Sequence, residues 1–365
     1  MKKKLFSALT FALLSVAAAN AQTTTWNLTG NAGTSPATNF LGTTDNNSLV
    51  LKANNMFSGL IDVTTNYNTA FGFNSFNSTT TGTGNSSFGV RSLSTNTTGV
   101  NNVAVGYLAL AHNTTGTNNV GVGAGSLSTN QTGSYNIVMG TNSAMHATGL
   151  NSSVVIGFNA LVYGTSGNYN TLVGDLAMGN LTSGSNNIAI GYTAGANLAS
   201  TGSNNIFIVS NSSGPNITTD VSNQLNIGNW IYGNNGNIGI GTSVAHDAKL
   251  AVNGTVLAQE VTVDSNPADW PDYVFAKTYG LRSLTEVKSY IDKNQHLPEL
   301  PSAEEVQKDG LKLGEMNKLL TKKVEELTLY MIDKDKQVKD LNSKLTAQQA
   351  EINKLTKMVE ALVKK

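Results

Sequence analysis

The chain has 365 residues, of which 13% are charged and 36 are Gly, with a formal net charge of zero and no Cys. Zero net charge gives no bulk attraction to nucleic acid or to an anionic membrane. The lack of Cys removes disulfides, thiolate nucleophiles, Cys-ligated metals and a lipid-modified cysteine anchor together.

Met1 to Ala21 reads as a secretory signal. Lys2, Lys3 and Lys4 form a positive start, Leu5 to Ala18 is apolar, and Ala19-Asn20-Ala21 supplies a small-residue cleavage site. The apolar run is too short for a membrane span. Export to an extracellular or cell-surface location is therefore expected, with a mature chain beginning near Gln22. Residues 22–67 form an N-terminal β segment, in which Ser48-Leu49-Val50-Leu51-Lys52 alternates as a strand does.

Residues 68–210 carry an internal repeat. Gly72, Gly89, Gly106, Gly123, Gly140, Gly157, Gly174 and Gly191 follow one another at intervals of 17. Four residues before them stand Asn68, Asn85, Asn102, Asn119, Asn136, Asn170 and Asn187, with Ser153 as the one exception. The residue before each Gly is apolar and the residue three after it is small, as in Val105 and Ala109 around Gly106. A fixed period this short makes each repeat one turn of a coil that stacks on the next. The expected fold is mainly β: a parallel β-roll whose glycines sit at turns closed to other residues, with an Asn column hydrogen-bonded along the axis. Val103 and Val105 share one face of a short strand. The residues between them and their equivalents, Ala70, Ser87, Ala104, Gly121, Val138, Val155, Leu172 and Ala189, are small or apolar where a solvated face would be polar. That second face is expected to pack against neighbouring chains.

Units such as Asn102-Val103-Ala104-Val105-Gly106 and Asn187-Ile188-Ala189-Ile190-Gly191 resemble the head repeats of trimeric autotransporter adhesins. The resemblance implies a trimeric β-roll that binds a surface ligand. The period of 17 is longer than that family's usual repeat. No membrane-spanning β-strands are read in the C-terminal part, so the family's secretion and anchoring are not implied.

Residues 211–265 read as a β neck, with strand, turn and strand over Asn237–Thr242 and Lys249–Gly254. Residues 266–315 read as a small α/β linker module. There Ser283 with Glu286, and Ser302 with Glu305, form two capping boxes. Between them His296-Leu297-Pro298-Glu299-Leu300-Pro301 is expected to be extended, because each Pro disfavours helix before it. Phrases such as Trp270-Pro271-Asp272-Tyr273-Val274-Phe275 and Glu325-Glu326-Leu327 resemble the C-terminal regions of phage-tail-fibre-like bacterial surface proteins.

Residues 316–365 form a coiled-coil stalk. Val324, Met331, Val338, Leu345, Ile352 and Val359 occupy one seam position, and Leu320, Leu327, Leu341, Leu355 and Leu362 the other, with Lys334 and Gln348 as polar members. The seam does not set the strand number. A homotrimer is expected because the head repeat implies one.

Charge is segregated along the chain. Residues 61–210 hold only Asp62, Arg91 and Asp175, while residues 260–365 hold 17 Lys and Arg and 18 Asp and Glu. Glycosidase chemistry needs two carboxyl groups within about 10 Å, and the head has no such pair. His112, His146, His246 and His296 have no metal-ligand spacing. Gly121-Val122-Gly123-Ala124-Gly125 recurs every turn with no helix after it, which excludes a phosphate loop. Asp264-Ser265 is the reverse of a tail-fibre self-cleavage bond, leaving a self-cleaving chaperone as a remote reading. No catalytic, cofactor-binding or metal-binding residue is identified, and the chain is not expected to be an enzyme. The expected function is an adhesin-like surface fibre contacting an unidentified surface or glycan through exposed aromatics, namely Phe73, Tyr107, Tyr135, Phe158, Tyr163, Tyr169 and Tyr192. The alternative is a structural fibre component with no ligand of its own.

Overall fold

The computed structural model describes residues 29–37, 39–76, 80–196, 201–211, 222–242, 248–263 and 270–363. The signal sequence, His246 and Asp264-Ser265 lie outside these. The chain divides into two compact units, Met1–Val256 and Leu257–Lys365. The first is a parallel β-solenoid and the second contains a long C-terminal helix.

The first unit begins with a hairpin, β1 (Leu49–Ala53) and β2 (Met56–Ile61). Asn54 and Asn55 link the two with φ of 49° and 58°, the left-handed pair that a two-residue hairpin turn requires. Then come β3 (Thr69–Phe71), β4 (Ser86–Phe88), β5 (Val103–Val105), β6 (Val120–Val122), β7 (Ile137–Met139), β8 (Gly149–Asn151), β9 (Val154–Ile156), β10 (Ser166–Asn168), β11 (Thr171–Val173), β12 (Ile188–Ile190), β13 (Ile206–Ile208) and β14 (Gln224–Ile227). All but β8 and β10 stack in chain order as one parallel ladder. Thr69 lies beside Ser86, Ser86 beside Val103, and so on in equal steps to Ile188. The next two steps lengthen, with Ile188 beside Ile206 and Ile206 beside Leu225. β2 covers the free edge of β3 antiparallel, closing an edge that would otherwise invite pairing with another chain. β8 and β10 form a second short parallel pair. β15 (Ile231–Asn234) and β16 (Asn237–Ile240) continue the sheet antiparallel, and β17 (Leu250–Val252) lies parallel to β16 with Ile238 beside Leu250.

Most backbone groups are satisfied between coils, and a few within them, as where Asn113 N donates to Leu110 O at 3.1 Å. In the coil of β5, Leu108 and Gly106 donate to Val90 and Phe88 on the preceding coil, whereas Val103, Leu110 and His112 donate to Asn119, Ser126 and Ser128 on the next, all at 2.8–3.0 Å. Each coil is thus pinned on both sides.

The asparagine column is buried. Asn102 donates its side-chain amide to Gly116 O at 2.9 Å and to Asn85 Oδ1 at 3.1 Å, while its own Oδ1 accepts from Asn119 N at 3.0 Å. The column runs past residue 187: Asn205 N and Nδ2 both reach Asn187 Oδ1 at 3.1 Å, and Gln224 N reaches Asn205 Oδ1 at 2.9 Å. A second, shorter ladder of Asn96, Asn113 and Asn130 lies inside the coil: the amides of Asn113 and Asn130 reach the equivalent oxygen one coil back at 3.0 and 2.9 Å, and that of Asn96 reaches Thr80 Oγ1 at 3.2 Å. It stops at Ala147, which leaves Asn130 Oδ1 buried without a hydrogen bond.

The core is one side chain thick and is filled by compensation. Ala70, Ala104, Val138, Val155, Leu172 and Ala189 are fully buried inside the coil. Opposite them, four residues after the ladder glycines from Gly72 to Gly174, lie Phe76, Leu93, Leu110, Leu127, Ala144, Leu161 and Met178, also buried. Where the second column shrinks to Ala144, the first grows to Val138. A β-carbon on Gly121 would meet Leu110 at 3.2 Å, so Leu110 already fills that space. These leucines have left-handed backbones, with φ of 47–50° at Leu93, Leu110, Leu127 and Leu161. That conformation costs about 1–2 kcal/mol per residue, whereas burying a leucine side chain contributes about 1.5–3 kcal/mol. Burial wins, and the strained turn repeats.

This arrangement corrects the expected assignment of strand faces. The column headed by Ala70 and Ala104 does not face other chains; it lines the coil's own interior. The strand residues on either side of it point outward. All three strand positions are small or apolar, so no alternation distinguishes the two faces, and only the hidden Leu column fixes which one is inside.

The ladder glycines hold φ of 124–140°. A β-carbon on Gly106 would lie 2.7 Å from the carbonyl carbon and oxygen of Gly123. Gly106→Ala is therefore expected to cost about 1–3 kcal/mol, read as a fall in the thermal midpoint of the head's β-sheet circular dichroism. The exposed Thr141→Ala should stay within about 0.5 kcal/mol of the parent. Equal midpoints for both variants would show that the coils do not need the glycine's close approach.

Candidate functional site

Of the two outward strand columns of the first unit, the one from Phe71 to Ile190 is apolar throughout, and the other is apolar except at Thr69, Ser86 and Thr171. Phe88, Val105, Ile137, Met139 and Ile190 are each 38–45% exposed. The rings of Phe71 and Phe88 stack on successive coils with centroids 5.8 Å apart. A row of this length, two residues wide and without charge, is more apolar surface than a solvated sheet face ordinarily carries.

The second unit presents another apolar stripe. A 3-10 turn, Pro271–Phe275, precedes α1 (Leu284–Asn294), α2 (Ala303–Asp309) and α3 (Leu313–Val363). Ser283 and Ser302 each cap a helix with a reciprocal Glu at the third position. The 51 residues of α3 include no buried residue. At about 1.5 Å per residue the helix is about 75 Å long. Its seam residues Leu320, Val324, Leu327, Met331, Val338, Leu341, Leu345, Ile352, Leu355, Val359 and Leu362 are all exposed. Near its start, Leu320, Val324 and Leu327 join Leu284, Val287 and Leu297 around a groove of about 310 Å³.

The segment between α1 and α2 turns where the sequence reading has it extended. Leu300 N donates to Leu297 O at 3.3 Å, and Glu299 has φ of 71°. Pro298 and Glu299 occupy the two central positions of a turn, a place that suits Pro. The left-handed conformation at Glu299 is offset by charge: its carboxylate takes Lys322 Nζ at 2.8 Å and Lys323 Nζ at 2.9 Å. Lys323 also holds Glu326 at 2.9 Å, and Tyr279 donates its hydroxyl to Glu326. Lys322 Nζ lies 5.8 Å from the centre of the Tyr273 ring. Burial pushes the Glu299 carboxyl up, but the Lys322 and Lys323 ammonium groups outweigh it, so its pKa lies below the ordinary value. Burial and the Glu326 hydrogen bond both push the Tyr279 phenol up. No spacing rule in the sequence marks this cluster, because Tyr279, Glu299 and Glu326 meet only once the turn is made.

The two carboxylates of residues 61–210 are structural. Asp62 accepts from Thr64 N at 3.0 Å and from Ser48 Oγ at 2.8 Å; burial raises its pKa, and these bonds together bring it below the ordinary value. Asp175 accepts from Phe158 N at 2.9 Å. His112 pairs its ring with Ser128 O at 2.8 Å, and His296 lies 5.7 Å from Tyr290 edge-on. Among the described residues no three His, Asp or Glu side chains converge as a metal site, and no helix is long and apolar enough to cross a membrane. The aromatics Tyr107, Tyr135, Phe158, Tyr163, Tyr169 and Tyr192 are 49–65% exposed and Phe73 is 38% exposed. They do not roof the core.

Comparison of the chain with protein-family models, with curated proteins and with solved structures finds no match.

A carboxylate whose pKa is depressed on folding stabilises the fold above its unfolded pKa, and that contribution is lost as pH falls through the folded value. The thermal midpoint of the helical circular dichroism should thus drop as pH is lowered from about 5 to about 3. Glu299→Gln should begin lower at pH 7 and show a shallower drop. An acid response in Glu299→Gln identical to the parent's would remove Glu299 from the pH dependence.

Proposed function

We propose that this chain is an exported, fibrous surface protein that assembles as a homotrimer, displaying a β-solenoid head in the manner of an adhesin. The observation that carries this reading is α3, a 51-residue helix that buries none of its residues yet keeps an apolar seam through six heptads. An isolated helix with such a seam in water is stabilised by burying it against identical helices. The outward columns of β3 to β14 support the same reading independently. They repeat once per coil, so three parallel copies could meet in register along the full ladder. Three copies are favoured over two by the resemblance of the repeat to trimeric adhesin heads. Display in triplicate converts weak single contacts into avidity.

Among the described residues the Glu299, Lys322, Lys323, Glu326 and Tyr279 groups are paired with one another, so this cluster lends no support to an enzymatic reading. The purely structural alternative, a fibre component with no ligand of its own, shares the assembly and differs only in lacking a surface contact.

Sedimentation equilibrium on residues 22–365 is expected to give the trimer mass at micromolar concentration. Replacing Val105 and Ile137 together with Lys should weaken assembly through the head without unfolding the coil, because both side chains already point outward. Replacing Leu341 and Leu345 with Lys should weaken it through α3. A parent chain that sediments as a monomer would sink the proposal.

A further inference from the structure

One more surface of the head carries its own chemistry, on a different segment of the coil from the outward strand columns. Six and eight residues after each ladder glycine, two rows run along the coils. The first contains Thr129, His146 and Tyr163, and the second Thr114, Thr148 and Thr165. Around Tyr163 these rows border a groove of about 670 Å³. The rings of His146 and Tyr163 are parallel to within 1°, with centroids 6.1 Å apart. Tyr163 is 56% exposed.

Three features narrow what such a groove can hold. No Asp, Glu, Lys or Arg lines it, so a charged ligand would lose its hydration without gaining an ion pair. The hydroxyl protons of three of its threonines are already committed. Thr148 and Thr165 donate to Thr165 O and Thr182 O at 3.2 and 2.9 Å, and Thr129 donates to Met145 O at 2.7 Å. What these oxygens retain is the capacity to accept. The side-chain amide of Asn180, on the first row, gives one of its two N–H groups to Ala196 O at 2.7 Å. The groove therefore offers threonine acceptors, aromatic rings and a few donors on Tyr163, His146 and Asn180, and calls for a ligand rich in hydroxyl groups, which both donate and accept, with apolar C–H faces. The third feature is repetition. Equivalent residues recur about every 4.8 Å along the axis, a step comparable to the length of one sugar in an extended glycan.

We propose that this groove binds a neutral polysaccharide strand laid along the solenoid axis, with Tyr163 and His146 packed against sugar rings and the threonine rows accepting hydroxyl protons. The proposal rests on the surface-display reading and gives it a ligand class. The neutral groove makes the interaction nearly independent of salt.

The test is calorimetry and affinity electrophoresis of the purified chain against cellohexaose, chitohexaose, laminarin and mannan, with polygalacturonate as a charged probe. At least one neutral glycan should bind, with an affinity that changes little from low to high salt. Tyr163→Ala should weaken it about tenfold, and Tyr107→Ala, beside the ladder glycine, should not; circular dichroism of both variants confirms the fold. Failure of all four neutral glycans to bind the parent chain overturns the proposal. So does unchanged binding by Tyr163→Ala, or preference for polygalacturonate that disappears with salt. A trimer that binds no neutral glycan would sink this site and leave the fibre reading standing, whereas a monomer that binds through Tyr163 would do the reverse.

Discussion

At each ladder glycine the carbonyl oxygen of the next coil lies 2.3–2.7 Å from where a β-carbon would stand. That approach brings successive coils close enough for most peptide groups around the perimeter to find a partner one coil away. The asparagine column depends on the same spacing. Its amide reaches the corner carbonyl of the next coil while its oxygen accepts from the next backbone N–H, which requires equivalent residues to lie directly above one another. Where the spacing is relaxed the ladder changes character: Val209 takes the glycine's place after a longer coil, and its carbonyl still covers Gly191. The asparagine bonds continue through that coil, so the amide column tolerates an insertion that the glycine column does not mark.

How much of this was legible in the sequence depended on whether a residue type had one physical use. Glycine with φ of 124–140° and asparagine in a buried ladder each have few alternatives, and their columns stand out as a strict repeat. The leucine column does not, because Phe76, Leu93, Ala144 and Met178 share only a buried site and exchange volume with their opposite numbers. Without that column the strand faces read in reverse. The continuation through Asn205 and Gln224 was hidden for a simpler reason, since the longer coils that carry them fall out of the period. In the second unit the capping boxes were readable because both partners are three residues apart. The Glu299 turn was not, because its strain is offset by lysines more than twenty residues away. The His146 and Tyr163 pair was visible only as two aromatic positions one repeat apart, and the parallel rings and the groove beside them emerge from the fold.

The two units solve opposite problems with the same device. The solenoid has too little interior: one residue per strand points inward, and the remaining apolar strand residues must face outward. The helix from Met331 onward has no interior at all, every residue to Val363 being exposed. In both, the surplus apolar surface is arranged in a repeat, once per coil in the head and twice per heptad in α3. A periodic stripe can be buried only by a partner with the same period, and another copy of the chain is the simplest such partner. The covalent link then couples the two on the proposed reading. Once the helices have associated, the heads are held at an effective concentration set by the connecting chain, and the weaker contact becomes intramolecular. The flat, uncharged head face could thus be too weak to assemble alone and still be buried in the fibre, which would also limit the misassembly that a strongly adhesive sheet face invites.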